Sequence, residues 1–352
     1  MFKNFIIPSP LKKGSKIGIT GPSGGVKDIL HPRLDFIIQH LKNQGFEIKE
    51  GHCLRDEFKH VSAEKSLRAK ELQNFLLDDE LDAICPPWGG EILIEILPML
   101  DFEKIAAAKP KWITSYSDIS TLHFATTLMT GICTAHTPNL MDLAPANPES
   151  TDKLTDKVFE ILQKSQGEVF EQVSSEFYQQ GARIDIVDNP AAVFTPDKKT
   201  KWKSLRNEQQ LNFKGRLIGG CLDTIFCLTG TLYGNMEAFK KVTKDEGHIF
   251  YFENCEGRPT DVVRRLENIK QAGWLEGANG MLIGRSCGKD TSSDQFLSYE
   301  EALHQCLEEL NIPVVYDADV GHCPPQMTLI NGAMCEIEFT PERSKLKQII
   351  KP

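Results

Sequence analysis

Lys111-Trp112-Ile113-Thr114-Ser115-Tyr116-Ser117-Asp118-Ile119-Ser120 is the stretch whose reading decides the fold. Its first residues are apolar and β-branched, as a buried strand requires, and its middle is a small polar turn. Residues 118–129 then follow with helical spacing, so the stretch reads as strand, tight turn and helix. A serine at such a junction is pushed out of the backbone, and neighbouring N–H groups face whatever it attacks. Ser117 is therefore a candidate nucleophile. A helix N-cap is the competing role for a serine here, and Ser115, on the strand side, suits a buried small residue. The string is not G-x-S-x-G, so the turn is informative only together with its partners.

Working outward, the same strand-then-helix rhythm fills the first half. Residues 16–20 form a short apolar strand ending in Gly21-Pro22-Ser23-Gly24-Gly25. Helical spacing over 34–41 leads to a strand at 46–49. Ser62 is placed to cap a helix that runs through Leu77. A strand at 81–85, a helix at 91–100, the strand 112–116 and a further strand at 132–135 complete the series. Such alternation predicts an α/β protein with a mostly parallel sheet covered by helices on both faces. Ligands in these sheets sit beyond the carboxyl ends of the strands. Ser117, Trp88-Gly89-Gly90 and the Gly21 turn should then line one edge. The Gly21 turn is not G-x-G-x-x-G, so a nucleotide-binding reading of it is weak.

The rhythm breaks between 166 and 213, where Asn189-Pro190, Thr195-Pro196 and Lys198-Lys199-Thr200-Lys201 read as loop or linker. A second unit starts at Gly215-Arg216-Leu217-Ile218-Gly219-Gly220. It carries a strand ending at Glu253, a helix over 259–271, a strand over 281–284 and a helix opened by the capping box Ser298-x-x-Glu301. A strand at 313–316 and a β-rich tail over 327–339 follow. The expected organisation is a first domain over 1–165, a linker over 166–213 and a second domain over 214–352.

Composition narrows the function classes. The 352 residues suffice for about two domains, and 40% hydrophobic residues can fill their cores. A formal charge of −9 disfavours a nucleic-acid partner bound through phosphates. No apolar run approaches the roughly 20 residues of a membrane span, so no membrane partner is expected. The amino terminus lacks the apolar core and small-residue cleavage site of a signal peptide, which points to the cytoplasm. Ten cysteines without a C-x-x-C pair do not form a disulfide framework. Histidines and cysteines are scattered without ligand spacing, so neither a metal nor a cofactor is expected.

Serine needs a base to act as a nucleophile at neutral pH, and the base needs an orienting group. His322 lies in the loop Asp319-Val320-Gly321-His322-Cys323-Pro324-Pro325, where backbone constraint would hold an imidazole. His136, just after a strand, is the alternative base, whereas His123 lies in the helix and points away. Glu253 ends the apolar run His248-Ile249-Phe250-Tyr251-Phe252, and a carboxylate there is costly to bury without a partner. Glu256 could take the same part, or supply negative charge to the helix that starts at Pro259. Serine, acid, histidine is the chain order that α/β hydrolases also use. The glycine pair Gly89-Gly90 allows an amide to approach a reacting carbonyl beside the Asp118 amide.

Taken together, these residues resemble the LD-carboxypeptidase and microcin C immunity family of serine peptidases. The resemblance runs from about Leu11 to Phe339. It rests on Gly14 to Ser23, Gly89-Gly90 with Leu97-Pro98-x-Leu100-Asp101, and Tyr116-Ser117-Asp118. It continues through Gly215-x-Leu217-x-Gly219-Gly220-x-Leu222, Phe252-Glu253-x-x-Glu256 and Gly321-His322. It implies Ser117 as nucleophile, His322 as base, Glu253 as orienting acid, and the Gly90 and Asp118 amides as oxyanion donors. It also implies a Rossmann-like first domain, a smaller β-rich α/β second domain and a homodimer. Three positions depart from the family pattern: Ser115 replaces a usual glycine, Cys221 an asparagine and Asn254 an aspartate.

The expected activity is a serine carboxypeptidase that cleaves an amide bond near the C-terminus of a small peptide or an aminoacyl- or peptidyl-nucleotide conjugate. A murein tetrapeptide LD-carboxypeptidase is the alternative within enzymes, and a non-catalytic binding module for a small ligand is the alternative outside them. The 166–213 region and the helix over 259–273 resemble the microcin immunity branch, in which an aromatic there can stack on a nucleotide. Trp202 is the candidate for that contact, Arg206, Arg258 or Arg285 for a substrate carboxylate, and Glu256 for a further substrate contact.

Overall fold

The computed structural model describes residues 2–143, 152, 154–290, 293 and 295–351. In the first half, strands β1 (Lys16–Ile19), β2 (Glu47–Glu50), β3 (Ala83–Ile84) and β4 (Trp112–Ile113) form an all-parallel sheet in the order β2-β1-β3-β4. Helices α1 (His31–Asn43), α2 (Lys65–Leu77), α3 (Phe102–Ala107) and α4 (Ile119–Thr130) connect and cover it. The α/β class and the parallel first sheet agree with the alternation of the sequence.

Three local expectations change. The 91–100 segment is a 3₁₀ helix over Leu93–Met99, with Pro98 inside it; proline has no N–H to give an α-helix. Glu64, not Ser62, caps α2, accepting from the Ser66 amide at 2.8 Å. The Ser62 hydroxyl instead donates to the Gly21 carbonyl. Strand β5 (Thr134–His136) does not extend the parallel sheet. It pairs antiparallel with Leu329–Asn331 from the far end of the chain, with His136 opposite Leu329.

The remaining elements, in chain order, are α5 (Val158–Leu162), β6 (Val169–Val173), β7 (Phe177–Tyr178), β8 (Lys198–Lys199), β9 (Lys203–Ser204), β10 (Leu211–Cys221), α6 (Leu222–Ile225), α7 (Glu237–Val242), β11 (His248–Glu253), α8 (Pro259–Gln271), β12 (Ala278–Gly284), α9 (Tyr299–Leu307), β13 (Val314–Ala318), β14 (Leu329–Asn331), β15 (Met334–Phe339) and β16 (Lys345–Ile349). Among the described residues, eight of these strands form a mixed sheet in the order β6-β16-β15-β10-β11-β12-β13-β9. Its centre, β10 to β13, is parallel, and antiparallel strands flank it on both sides. Both edge strands, β6 and β9, come from the 166–213 stretch that reads as linker in the sequence. Their signal is weak because an edge strand need bury only one face.

Helix α4 joins the two halves. All of its residues except Met129 are buried, so it is enclosed on every side and is not a surface amphipath. Its first turn packs on the end of β10, where a β-carbon at Gly220 would stand 2.6 Å from the Ser120 β-carbon. The Ser120 hydroxyl accepts from the Cys221 amide at 2.9 Å. Glycine at 220 thus lets the helix that begins just after Ser117 abut the strand of the second sheet next to Glu253.

Candidate active site

The turn that carries Ser117 is strained and braced. Ser115 and Ser117 both have positive φ, 92° and 61°, a region that costs a non-glycine residue about 1–3 kcal/mol. The loop after β5 holds the turn in place. The Ser115 amide donates to the Thr137 hydroxyl at 2.9 Å, and the Thr137 amide donates to the Ser115 carbonyl at 3.0 Å. The Ser115 hydroxyl donates to the Asn139 side-chain oxygen. Serine at 115 thus replaces the conformational freedom of glycine with a buried hydrogen bond.

Ser117 does not cap α4 with its side chain. The N-cap position belongs to Asp118, and Ser117 Oγ instead stands 3.1 Å from His322 Nε2. His322 Nδ1 lies 2.8 Å from Glu253 Oε2. Glu253 is fully buried at the carboxyl end of β11, opposite Cys221 of β10, while the His322 side chain is 15% exposed. The three residues come from the ends of β4 and β11 and from the loop after β13, so both sheets contribute. Burial alone would lower the His322 pKa, but the Glu253 carboxylate and the neighbouring Cys255 raise it well above the ordinary value.

The other candidate residues separate clearly. His136 is fully buried between the Tyr116 and Tyr251 rings, and burial lowers its pKa well below normal. Among the described residues neither of its nitrogens has a hydrogen-bond partner. His123 is also buried, which lowers its pKa to about 3. Glu256 is exposed, and its amide donates to Asp223; Glu253, and not Glu256, meets the histidine.

Gly89 lies against Ser117, and Gly90 lies against the Gly21 turn. A β-carbon at Gly89 would stand 2.7 Å from the Asp118 amide nitrogen and 3.0 Å from Ser117 Oγ. Gly90 has φ 149°, and a β-carbon there would stand 2.6 Å from the Gly24 nitrogen. Only glycine fits at either place. The Gly21 turn is the backing of this loop: the Gly24 amide donates to the Gly89 carbonyl at 3.0 Å. Asp118 ties the pieces together, accepting from Ser23 Oγ at 2.6 Å and from the Leu93 amide at 2.8 Å. Burial raises the Asp118 pKa, and these donors partly offset it.

One group escaped the sequence reading. The Asp223 carboxylate, at the start of α6, accepts from the amides of Cys255, Glu256 and Gly257 and pairs with Arg265 at 2.6 Å. It fixes the segment that follows Glu253. Its only sequence signal is an acidic residue in a first helical turn, which usually serves the helix alone. Asn254, where the resemblance leads one to expect aspartate, donates through Nδ2 to the Gly257 carbonyl and to Ser286 Oγ, both at 2.8 Å. A carboxylate could donate to neither.

The proposed substrate contacts need correction. Trp202 is 1% exposed and packs in the core cluster with Phe213, Tyr251 and Leu282, its indole donating to Asp319 at 2.9 Å. No face is open for a nucleotide to stack on. Arg206 donates to the carbonyls of Glu308 and Ile312, neutralising the carboxyl end of the helix that precedes β13. Arg258 pairs with Asp261, and buried Arg285 pairs with Asp319 at 2.6 Å. All three arginines are engaged within the protein.

Among the described residues no group of three or more His, Cys, Asp or Glu is suited to hold a metal ion, and no helix is long and apolar enough to cross a membrane. Known proteins carry the same architecture. The chain is 25% identical to the probable murein peptide carboxypeptidase of Bacillus subtilis over 93% of this chain and 89% of that protein. It is 24% identical to the microcin C7 self-immunity protein MccF of Escherichia coli over 95% and 93% of the two chains. The structure of MccF in complex with aspartyl sulfamoyl adenosine superposes with a TM-score of 0.81 at 21% identity, covering 99% of this chain and all of the other. Residues 17–137 match the LD-carboxypeptidase N-terminal domain, and residues 214–337 match the LD-carboxypeptidase C-terminal domain. With both domains present in order, the chain belongs to the LD-carboxypeptidase family and is a serine-type carboxypeptidase.

Proposed function

We propose that Ser117, His322 and Glu253 form the catalytic triad of a peptidase that cleaves an amide bond near the C-terminus of a small peptide or of an aminoacyl- or peptidyl-nucleotide conjugate. The observation that carries this reading is the continuous chain Ser117 Oγ to His322 Nε2, 3.1 Å, and His322 Nδ1 to Glu253 Oε2, 2.8 Å. Ser117 attacks the carbonyl carbon while Nε2 takes its proton. Glu253 holds the proton on Nδ1, which leaves Nε2 free to accept, and stabilises the imidazolium that forms. The amides of Gly90 and Asp118 donate to the oxyanion. His322 then returns the proton to the leaving amine, and water repeats the cycle to free the acyl group.

A protein that only binds its ligand would have no need for a strained serine aimed at a histidine that a buried carboxylate orients, so turnover is favoured over a silent binding role. The similarity to the murein peptide carboxypeptidase supports a second reading, an LD-carboxypeptidase acting on tetrapeptide stems. The decisive comparison offers an L,D-tetrapeptide and an aminoacyl sulfamoyl-adenylate to the wild type and to Ser117→Ala. Cleavage of the conjugate by the wild type alone supports the nucleotide-conjugate reading. Cleavage of the tetrapeptide alone moves the assignment to the murein branch, and turnover retained in Ser117→Ala sinks the triad. A homodimer in the cytoplasm belongs to the same proposal; a monomer by light scattering would refute the first part.

A further inference from the structure

Three thiols surround the acid and the base: Cys255, Cys287 and Cys323. Cys287 Sγ and Cys323 Sγ are in contact at 2.7 Å. Cys323 directly follows His322. The Cys287 amide donates to the carbonyl of Asn254, the residue after Glu253, at 2.9 Å. The pair therefore spans the segments that hold the two members orienting Ser117. Cys287 is partly exposed, and Cys323 is buried. We propose that Cys287 and Cys323 are a site of reversible covalent modification, a dithiol that a hydroperoxide closes to a disulfide and that thereby switches the hydrolase off.

The charge distribution suits this chemistry. The contact with Cys287, together with the Gly181 amide and the Arg285 guanidinium, lowers the Cys323 pKa, while the Cys287 pKa rises. The contact thus favours ionisation of the inner sulfur over the open one, and a thiolate is the form that reacts. With hydrogen peroxide, one sulfur gives an electron pair to a peroxide oxygen, becomes a sulfenic acid and releases water. The second sulfur then displaces that hydroxyl, which leaves with the remaining thiol proton as a second water, and the S–S bond forms. Two thiols and one peroxide give one disulfide and two waters, and a dithiol reductant reverses the step. Closing the bond pulls the backbone beside His322 toward the backbone beside Glu253. Displacements of about 1 Å at reacting groups cost on the order of 10²-fold in rate.

The effect on turnover rests on the proposed roles of Ser117, His322 and Glu253, so the test reads linkage and activity separately. The full chain is treated with hydrogen peroxide, free thiols are blocked with N-ethylmaleimide, and the digest is mapped by mass spectrometry. A fluorophosphonate probe then reports Ser117 reactivity before oxidation, after it, and after dithiothreitol. The expected result is a Cys287–Cys323 cross-link, a fall in labelling rate of at least about tenfold, and recovery on reduction. Cys287→Ser should label like the reduced wild type and resist peroxide. The absence of this cross-link overturns the proposal, as does a cross-linked protein that labels at the full rate. Loss of labelling in oxidised Cys287→Ser also overturns it and assigns the effect to a thiol other than the pair's disulfide. A reduced wild type that never labels refutes the nucleophile assignment instead, and the cross-link map still decides the dithiol.

Discussion

Gly321 lies directly against Glu253: a β-carbon at 321 would stand 2.5 Å from both Cβ and Cγ of Glu253 and 2.6 Å from Oε2, the oxygen that meets His322. The residue before the base therefore has no side chain because the acid occupies that space. Its φ of 95° independently favours glycine. Gly321→Ala should push Glu253 and His322 apart and reduce kcat by about 10²-fold, with the fold retained by circular dichroism. Unchanged kcat would mean that the loop relaxes without disturbing the pair.

Glu253→Gln keeps the shape of the acid but removes the charge that fixes the tautomer of His322. The equivalent change in another serine protease triad costs about 10⁴ in kcat, and a loss of similar order is expected here. A loss below tenfold would show that Glu253 does not orient the base.

The raised His322 pKa makes a pH prediction. Only the neutral imidazole can accept the proton of Ser117, so kcat/KM should climb with pH through an apparent pKa above the ordinary histidine value of about 6.5. Stability moves oppositely. The folded pKa lies above the unfolded one, so the ion pair's contribution is complete below about pH 6.5 and is lost as pH rises through the folded value. An acid limb below pH 6 in the activity profile would contradict the pairing.

Ser115 sets strain against a hydrogen bond. Ser115→Ala loses the bond to Asn139 and keeps the positive φ, whereas Ser115→Gly loses the bond and relieves the strain. Glycine should be more stable than alanine by about 1–2 kcal/mol in denaturant unfolding. An alanine variant equal to the glycine variant would show that φ 92° costs little at this turn.

Trp202→Phe separates a structural role of the buried indole from a substrate-binding one. The variant leaves its part of the bond to Asp319 unmade in a buried site and should lose about 1–3 kcal/mol of stability, with KM for an aminoacyl sulfamoyl-adenylate unchanged. A large rise in KM at intact stability would return Trp202 to the substrate site.

Much of the site was legible because its signals are local. The strand, turn and helix around Ser117 follow from residue pattern over ten positions, and the helix from Pro259 to Gln271 and the Ser298 capping box appear where the sequence puts them. The failures are of another kind. Trp202 carries the composition of a stacking aromatic, yet its burial depends on the distant Phe213, Tyr251 and Asp319. Strand β5 has an ordinary strand pattern that cannot reveal its partner, almost 200 residues away in β14.

The sequence by itself determined the alternation that builds the first sheet, the tight turn at Ser117, and the residue types able to act as nucleophile, base and acid. Those follow from backbone sterics and from the pKa ranges of side chains, which act over a few residues. The tertiary structure alone decided that His322 rather than His136 reaches Ser117, that Glu253 rather than Glu256 meets His322, and that Cys287 touches Cys323. Each of these is a contact across a packed interface. Such contacts depend on how closely α4 approaches β10 and on which strands stand side by side in the second sheet, and no short stretch of sequence encodes that.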